Sequence, residues 1–302
     1  MTGRTLAAFL AAVVVGGVNF VGVRYSNQEL DPIWGAGLRF GLAAIVFGLL
    51  CAGLRLSLPR GRALALVVAY GLVGFGLAYG ALYWALQDAP AGIGAVVLAI
   101  GPLLVLLLAV AHRLERFSVR AAVGAVVALA GSALMFLDPG EADVGWTSFA
   151  LLGVAALAAS ESVVLSKLVG RQHPMAMNFV GMTAGSAALL VAAVVSGDEL
   201  ALPREGETQL AVAYLVLATV SLFLCILYVV QRWTASATAY TFVSMPVVAV
   251  IAGAIALDEE ITAAVVAGGA IVLAGVYVGA LSRDSTSRDS AHVPANSTAT
   301  GQ

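Results

Sequence analysis

Charged side chains are scarce in this sequence. Only 11% of the 302 residues are Asp, Glu, Lys or Arg, whereas 61% are hydrophobic, and the mean hydropathy is +0.99. A soluble domain carries about a quarter charged residues, so this chain lacks the polar groups that would cover a water-facing surface. The composition excludes a cytosolic globular enzyme, a nucleic-acid-binding protein and a disordered scaffold. It predicts a protein with several membrane spans.

Cysteine and histidine are also few. Cys51 and Cys225 both lie inside apolar runs and indicate neither a disulfide framework nor a metal site. His112, His173 and His292 are isolated, and none has a Cys or Glu neighbour at metal-ligand spacing. The sequence contains no Walker-type Gly-rich stretch, zinc-protease motif or nucleophile elbow. It therefore predicts no cofactor, no metal site and no ATP hydrolysis.

Long apolar runs dominate the chain. A membrane-spanning helix needs about 20 apolar residues, and the runs between charges and turn formers predict an all-α membrane protein with ten such helices. These cover residues 5–24, 32–53, 63–86, 90–111, 118–137, 147–168, 175–196, 209–231, 236–257 and 262–282. The polar stretch 283–302 is predicted to be a disordered cytoplasmic tail. The first run is interpreted as a retained helix, although a signal peptide is the alternative.

Basic residues predict the orientation. With the N-terminus in the cytoplasm, all but three of the 15 basic residues fall on the cytoplasmic side. The exceptions are Arg24 and Arg204 on the other side and Arg39 inside a helix. Cytoplasmic loops carry an excess of Lys and Arg, so both termini of this plasma-membrane protein are predicted to be cytoplasmic. An even number of spans satisfies that requirement.

The two halves of the chain resemble each other. Shifted by 144 residues, 96–137 aligns with 240–281 without a gap, and Pro102 coincides with Pro246. Each half has five predicted helices, an odd number, so the second half enters the membrane in the opposite sense. Inverted repeats of this kind are typical of transporters with a site near the membrane midplane. The two predicted repeats are 5–137 and 147–282.

Five stretches carry a family resemblance: GGVNF at 16–20, GLRFGLAA at 37–44, ALYWALQDAPAGIGAVVLAIGPLLVLLLA at 81–109, RLERFSVRAAVGAVVALAGSALM at 113–135 and FVSMPVVAVIAGAIALDEEITAAVVAGGAIVLAGVYV at 242–278. They resemble the drug/metabolite transporter superfamily, in particular its EamA-type ten-helix members. The resemblance covers about residues 5–282 and implies a secondary transporter that moves an amino acid, metabolite or drug-like solute by alternating access, with export favoured. Family members often have a tryptophan where Gly16 stands here.

Polar residues inside apolar runs are the candidates for solute binding, because a charge at the bilayer centre costs about 2.5–3.5 kcal/mol or more. Arg39 can hold a carboxylate through its guanidinium, or it can reach outward as a structural residue. Glu161 can carry a proton that is coupled to transport, or it can hydrogen-bond a neighbouring helix. The other candidates are Asn19, Tyr79, Tyr83, Gln87, Pro102, Asn178, Tyr228 and Pro246.

Alternatives stay open for these other candidates. The two asparagines can bind solute or join helices, and the two prolines can line a cavity or form simple kinks. Tyr79, Tyr83 and Gln87 share one helix face, which suits a cavity for amphipathic or cationic solutes or an interfacial aromatic belt. The carboxylate of Glu115 is predicted to stabilise the positive N-terminal end of span five, and Ser118 is predicted to cap that helix.

Two other functions remain open from the residues alone. One is a membrane-embedded enzyme, although no cluster of reactive groups at one depth supports it, and the other is a non-transporting membrane scaffold. The expected partners are a small-molecule solute and the lipid bilayer, with no nucleic acid. Proton coupling is a further option, and so is a homodimer through the Gly/Ala-rich spans five and ten.

Overall fold

The computed structural model describes residues 3–86, 91–136, 145–257 and 262–281. This part of the chain forms helices joined by short connections. The helices are α1 (Gly3–Ser26), α2 (Pro32–Gly53), α3 (Arg62–Gly71, Leu72–Leu77 and Ala78–Ala85), α4 (Ala91–Leu98 and Gly101–Ala111), α5 (Val119–Phe136), α6 (Trp146–Leu168), α7 (Pro174–Ser196), α8 (Gly206–Val230), α9 (Ala235–Leu257) and α10 (Ala263–Val276 and Tyr277–Leu281).

The predicted all-helical membrane fold is confirmed. Nine of the described helices are long and apolar enough to cross a membrane, and α5 contains a shorter apolar stretch, Val119–Met135. The largest difference from the predicted bounds is at α8, which begins at Gly206 rather than at residue 209. The predicted tail and candidate Gln87 lie outside the described residues.

The outer surface of the bundle is apolar. Leu49, Val195 and Ile255 expose 68%, 75% and 80% of their surfaces, whereas Phe40 and Met177 are fully buried. A soluble protein rarely exposes large contiguous apolar patches. Exposure of this kind on many helices is expected when lipid surrounds the bundle, because hydrocarbon tails solvate such side chains.

Helix contacts pair elements from the two halves of the chain. α2 packs against α7, and α5 packs against α10. α1 packs against α8 and α9, while α6 packs against α3 and α4. Further contacts join α4 to α9, α3 to α7 and α2 to α8. Both halves therefore contribute to one bundle rather than forming two separate domains.

Glycines allow α5 and α10 to approach closely. A Cβ on Gly131 would lie 2.6 Å from the backbone N of Val272, and one on Gly275 would lie 2.6 Å from the backbone N of Ala128. Real Cβ atoms do not approach backbone so closely, so only glycine fits at these two positions. These two glycine faces therefore pack against each other within one chain.

Two helices are irregular. α3 contains a π-helical segment, Leu72–Leu77, which the sequence pattern did not predict. α4 is interrupted at Ala99 and Ile100, and Pro102 lies in the first turn of the segment that follows, whereas α9 continues through Pro246. The two prolines predicted to act alike therefore differ: one coincides with a helix break and the other is accommodated within a helix.

The bundle has two ends, which we name after one carboxylate at each. The Glu115 end carries the connections 54–61, 112–118, 169–173 and 231–234, and the Glu29 end carries 27–31 and 197–205.

Glu29 accepts hydrogen bonds from the backbone N–H of Arg204 (2.6 Å) and of Glu205 (3.2 Å). The bond from Arg204 is the main cause of a lowered pKa of Glu29. These contacts tie the α1–α2 connection to the start of α8.

Candidate functional site

Arg39 is a buried cation on the inner face of α2. Only 5% of its surface is exposed, and its Nε is buried with no hydrogen-bond partner. No ion pair joins Arg39 to a carboxylate in the described part of the chain. Its guanidinium carbon lies 4.5 Å from the ring centroid of Phe40 and 5.6 Å from that of Tyr79, which is within cation–π range. The rings favour the cation but leave its charge unneutralised.

Aromatic side chains from three helices form a wall beside this cation. Phe40 of α2 contacts Phe75 and Tyr79 of α3, with ring centroids 5.0 Å and 4.8 Å apart. Phe75 contacts Phe223 of α8 at 4.8 Å, and Tyr79 contacts Tyr83 at 6.1 Å. Tilted and edge-to-face contacts of this kind hold rings in fixed positions. The wall therefore presents a rigid apolar surface next to the guanidinium.

A small cavity adjoins Arg39 in the half of the bundle nearer the Glu29 end. It is lined by Val23, Ser26, Asn27, Gly35, Ala36, Arg39, Tyr83 and Leu215. The lining residues come from α1, the α1–α2 connection, α2, α3 and α8. The structure thus places the predicted candidates Arg39 and Tyr83 at one cavity, with Tyr79 in contact with both.

Asn19 lies on the face of α1 that borders this cavity. It precedes Val23 by four residues and Ser26 by seven, so the three side chains share one helix face. Asn19 is seven residues from the end of α1, and Arg39 is seven residues from the start of α2. At 1.5 Å per residue, both lie about 10 Å inside the Glu29 end. The side-chain oxygen Oδ1 of Asn19 is buried and has no hydrogen-bond partner.

Other predicted candidates lie elsewhere. Asn178 on α7 is fully buried, and the Tyr70 hydroxyl donates to its Oδ1 over 3.5 Å, so this pair joins α7 to α3. Tyr228 lies near the Glu115 end, where the guanidinium carbon of Arg232 is 3.5 Å from its ring centroid. Pro246 lies inside α9, partly buried. None of these three lines the cavity next to Arg39.

Glu161 is paired with a histidine. Its Oε1 lies 3.3 Å from Nε2 of His112, and Nδ1 of that ring lies 2.9 Å from the carbonyl oxygen of Leu108. The pair connects α6 to the end of α4. The candidate Pro102 is buried in the second segment of α4, Gly101–Ala111. Among the described residues, no group of three or more His, Cys, Asp or Glu side chains is placed to hold a metal ion.

The sequence profile of the EamA-like transporter family matches this chain twice, at residues 3–137 and 145–280. The chain belongs to the EamA-like transporter family. It is accordingly a multi-span membrane transporter of the drug/metabolite transporter superfamily, whose members carry small-molecule solutes across lipid bilayers.

Similar proteins agree with this assignment to the EamA-like family. A protein of Archaeoglobus fulgidus named "Uncharacterized transporter" is 28% identical over 88% of this chain and 95% of its own length. A "Probable terminal-alkyne amino-acid exporter" of Streptantibioticus cattleyicolor is 26% identical over 91% of this chain and 93% of its own length. A solved crystal structure, 17% identical, superposes with a TM-score of 0.79 over 93% of this chain and 98% of that one. That last likeness concerns the fold alone.

Some features of this candidate site were not predicted from the sequence. His112 was interpreted as isolated, and Phe75 and Phe223 were not distinguished from other apolar core residues. Their roles depend on contacts between distant helices, which no local spacing signals. Where family members often have a tryptophan, the side chain of Met245 fills the space, since a Cβ on Gly16 would lie 2.4 Å from its Cε.

Proposed function

We propose that this chain is a secondary transporter that exports a small organic carboxylate, such as an amino acid, by alternating access. The observation that carries the proposal is Arg39, buried beside a cavity with no carboxylate partner among the described residues. A buried cation without a partner is strongly destabilising. Retaining Arg39 there is explained if a solute carboxylate completes the pair through a bidentate contact.

An amino acid would also provide a partner for Asn19, the other polar candidate at the depth of Arg39. Asn19 offers a buried acceptor, Oδ1, without a partner, and an ammonium group is a donor that could satisfy it. The aromatic wall of Phe40, Tyr79 and Tyr83 would face the rest of the solute. The name of the Streptantibioticus relative, an amino-acid exporter, supports the same class of solute.

Alternating access requires two halves that can rearrange about a shared site. Each helix of the first half has an equivalent in the second half, from α1 and α6 to α5 and α10. When equivalent helices are exchanged, the α1–α8 contact becomes the α6–α3 contact, and the α1–α9 contact becomes the α6–α4 contact. The same exchange maps α2–α8 onto α7–α3. This pattern, together with the two matches of one family profile, supports two inverted repeats.

The energy source and orientation complete the proposal. Glu161, paired with His112, would exchange a proton during transport, because a carboxyl group and an imidazole in contact can pass a proton between them and this pair joins α6 to α4. The excess of basic residues at the Glu115 end supports a cytoplasmic position for that end in the plasma membrane. Binding would then occur nearer the outer end in the present conformation.

Flux measurements in proteoliposomes test the role of Arg39. Using pooled amino acids and organic acids, we expect Arg39→Gln to lower carboxylate uptake or efflux by about tenfold or more, as expected for losing charged hydrogen bonds. Arg39→Lys should retain partial activity, because it keeps the charge without the planar fork. Arg60→Gln, an exposed arginine on a connection, is the matched control. Undiminished affinity for carboxylates in Arg39→Gln would remove Arg39 from the site.

A further inference from the structure

The connection between α8 and α9, residues 231–234, is held at its beginning by a lysine. Lys167 lies in the last turn of α6, and its Nζ donates hydrogen bonds to the carbonyl oxygens of Val230 and Trp233, both over 2.6 Å. The last carbonyls of a helix carry partial negative charge and lack intrahelical partners. The ammonium group therefore neutralises the end of α8 and fixes the first residues that follow it.

The same connection is held at its other end by a carboxylate. Glu115, from the connection between α4 and α5, accepts the backbone N–H groups of Ala235 and Ser236 and the hydroxyl of Ser236. These are the first residues of α9, where unpaired N–H groups favour an anion. We call Lys167 and Glu115, with these contacts, the charged clamp.

The charged clamp links the two halves of the chain. Glu115 belongs to the first half, whereas Lys167, α8 and α9 belong to the second. Trp233 of the clamped connection also contacts the ring of Phe9 on α1, with centroids 5.3 Å apart. The Glu115 end is thus held together by polar contacts and one aromatic contact. The Arg39 cavity lies nearer the opposite, Glu29 end of the bundle.

We propose that the charged clamp holds the Glu115 end closed and must open once in each transport cycle. This inference rests on the proposed function. When Glu115 releases the start of α9, that helix can separate from the α4–α5 connection and expose the Arg39 cavity to the opposite side. The clamp suits this step because its contacts are part-buried hydrogen bonds, which water replaces at low net cost. Lys167 and Glu115 are positioning residues, since neither touches the cavity.

Lys167 is the only lysine in the sequence, which makes the opening measurable. The full chain is placed in lipid nanodiscs and treated with acetic anhydride, and acylation of Lys167 is followed by peptide mass spectrometry, which separates it from the N-terminal amine. Glu115→Gln should acylate about tenfold faster than the wild type, because charged hydrogen bonds that close the clamp are weakened. Glu207→Gln, an exposed carboxylate at the opposite end of α8, is the matched control and should match the wild type.

Two further measurements keep the inference decisive. Glu115→Gln also removes a negative charge near Lys167, which favours the reactive uncharged amine even without opening. Ser236→Ala leaves every charge in place and removes only the hydroxyl contact, so it decides the question and should acylate about two- to fivefold faster than the wild type. A lowered melting temperature in Ser236→Ala with an unchanged acylation rate would mean that the contacts are merely structural, and the inference would be wrong. A wild type without any flux would contradict the proposed function instead, because the acylation comparison needs no solute.

Discussion

At the scale of single residues, our proposal assigns to Arg39 the choice of which solute charge the cavity accepts. The rings of Phe40 and Tyr79 are already within cation–π distance of its guanidinium. A cationic solute would compete with that guanidinium for the same rings and would be repelled by it. Among the amphipathic and cationic solutes that the aromatic residues suit, amphipathic solutes with a carboxylate are therefore favoured beside α2.

Glu161 is the residue to which we assign the proposed proton coupling. It is the only acidic residue more than one turn inside a described helix. Glu161→Gln keeps the size of the side chain but cannot bind or release a proton, so we expect flux in proteoliposomes to lose its dependence on an imposed pH gradient. Glu207→Gln should retain that dependence. If the pH dependence of Glu161→Gln equals that of the wild type, the coupling proposal is eliminated.

Glu115 shows which residue roles can be predicted and which cannot. Its neighbour Ser118 caps α5 as predicted, accepting the N–H of Ala121 over 3.2 Å, because capping depends on local spacing. Glu115 itself was expected at the start of α5, yet it binds the start of α9, near Ala235. That partner lies 120 residues away, and only the packing of α4, α5 and α9 brings it close.

At the scale of helices, the bounds were predictable but their irregularities were not. Apolar runs and turn formers determine where spans begin and end, so α2 matches the predicted 32–53. The π-helical segment of α3 lies instead where this helix packs closely against its neighbours. A Cβ on Gly71 would lie 2.1 Å from the carbonyl oxygen of Gly181, and one on Gly74 would lie 2.7 Å from Cβ of Ser162. Such contacts leave no periodic signal in the sequence.

The contact between α5 and α10 gives a stability prediction. Gly131→Ala should destabilise the protein by about 1–3 kcal/mol, because the added Cβ would force two backbones apart. Thermal unfolding in detergent measures the effect. Gly153→Ala on α6 is the control, since nothing lies within 4 Å of its Cβ, and alanine there should raise helix stability by up to about 1 kcal/mol. Equal melting temperatures for the two variants would contradict the close α5–α10 contact.

At the scale of the whole molecule, the bundle is polar at both ends but basic at one. Arg60 on connection 54–61 and Leu202 on connection 197–205 lie at opposite ends and are exposed. In a background with Cys51 and Cys225 replaced by serine, a membrane-impermeant maleimide should label Leu202→Cys in intact cells. Arg60→Cys should react only after permeabilisation, because the basic end is expected in the cytoplasm. The reverse pattern would invert the proposed orientation.

The π-helical segment of α3 has a consequence for comparing relatives. A π turn is equivalent to an α-helix that has gained one residue, and each residue rotates the following side chains by about 100°. Tyr83, which lines the Arg39 cavity, follows the π-helical segment Leu72–Leu77, so the extra residue contributes to the direction in which its side chain points. If a homologue lacks that extra residue, its alignment with this chain needs a one-residue gap in this segment. Without the gap, tyrosines that are aligned with each other would face different neighbouring helices in the two proteins.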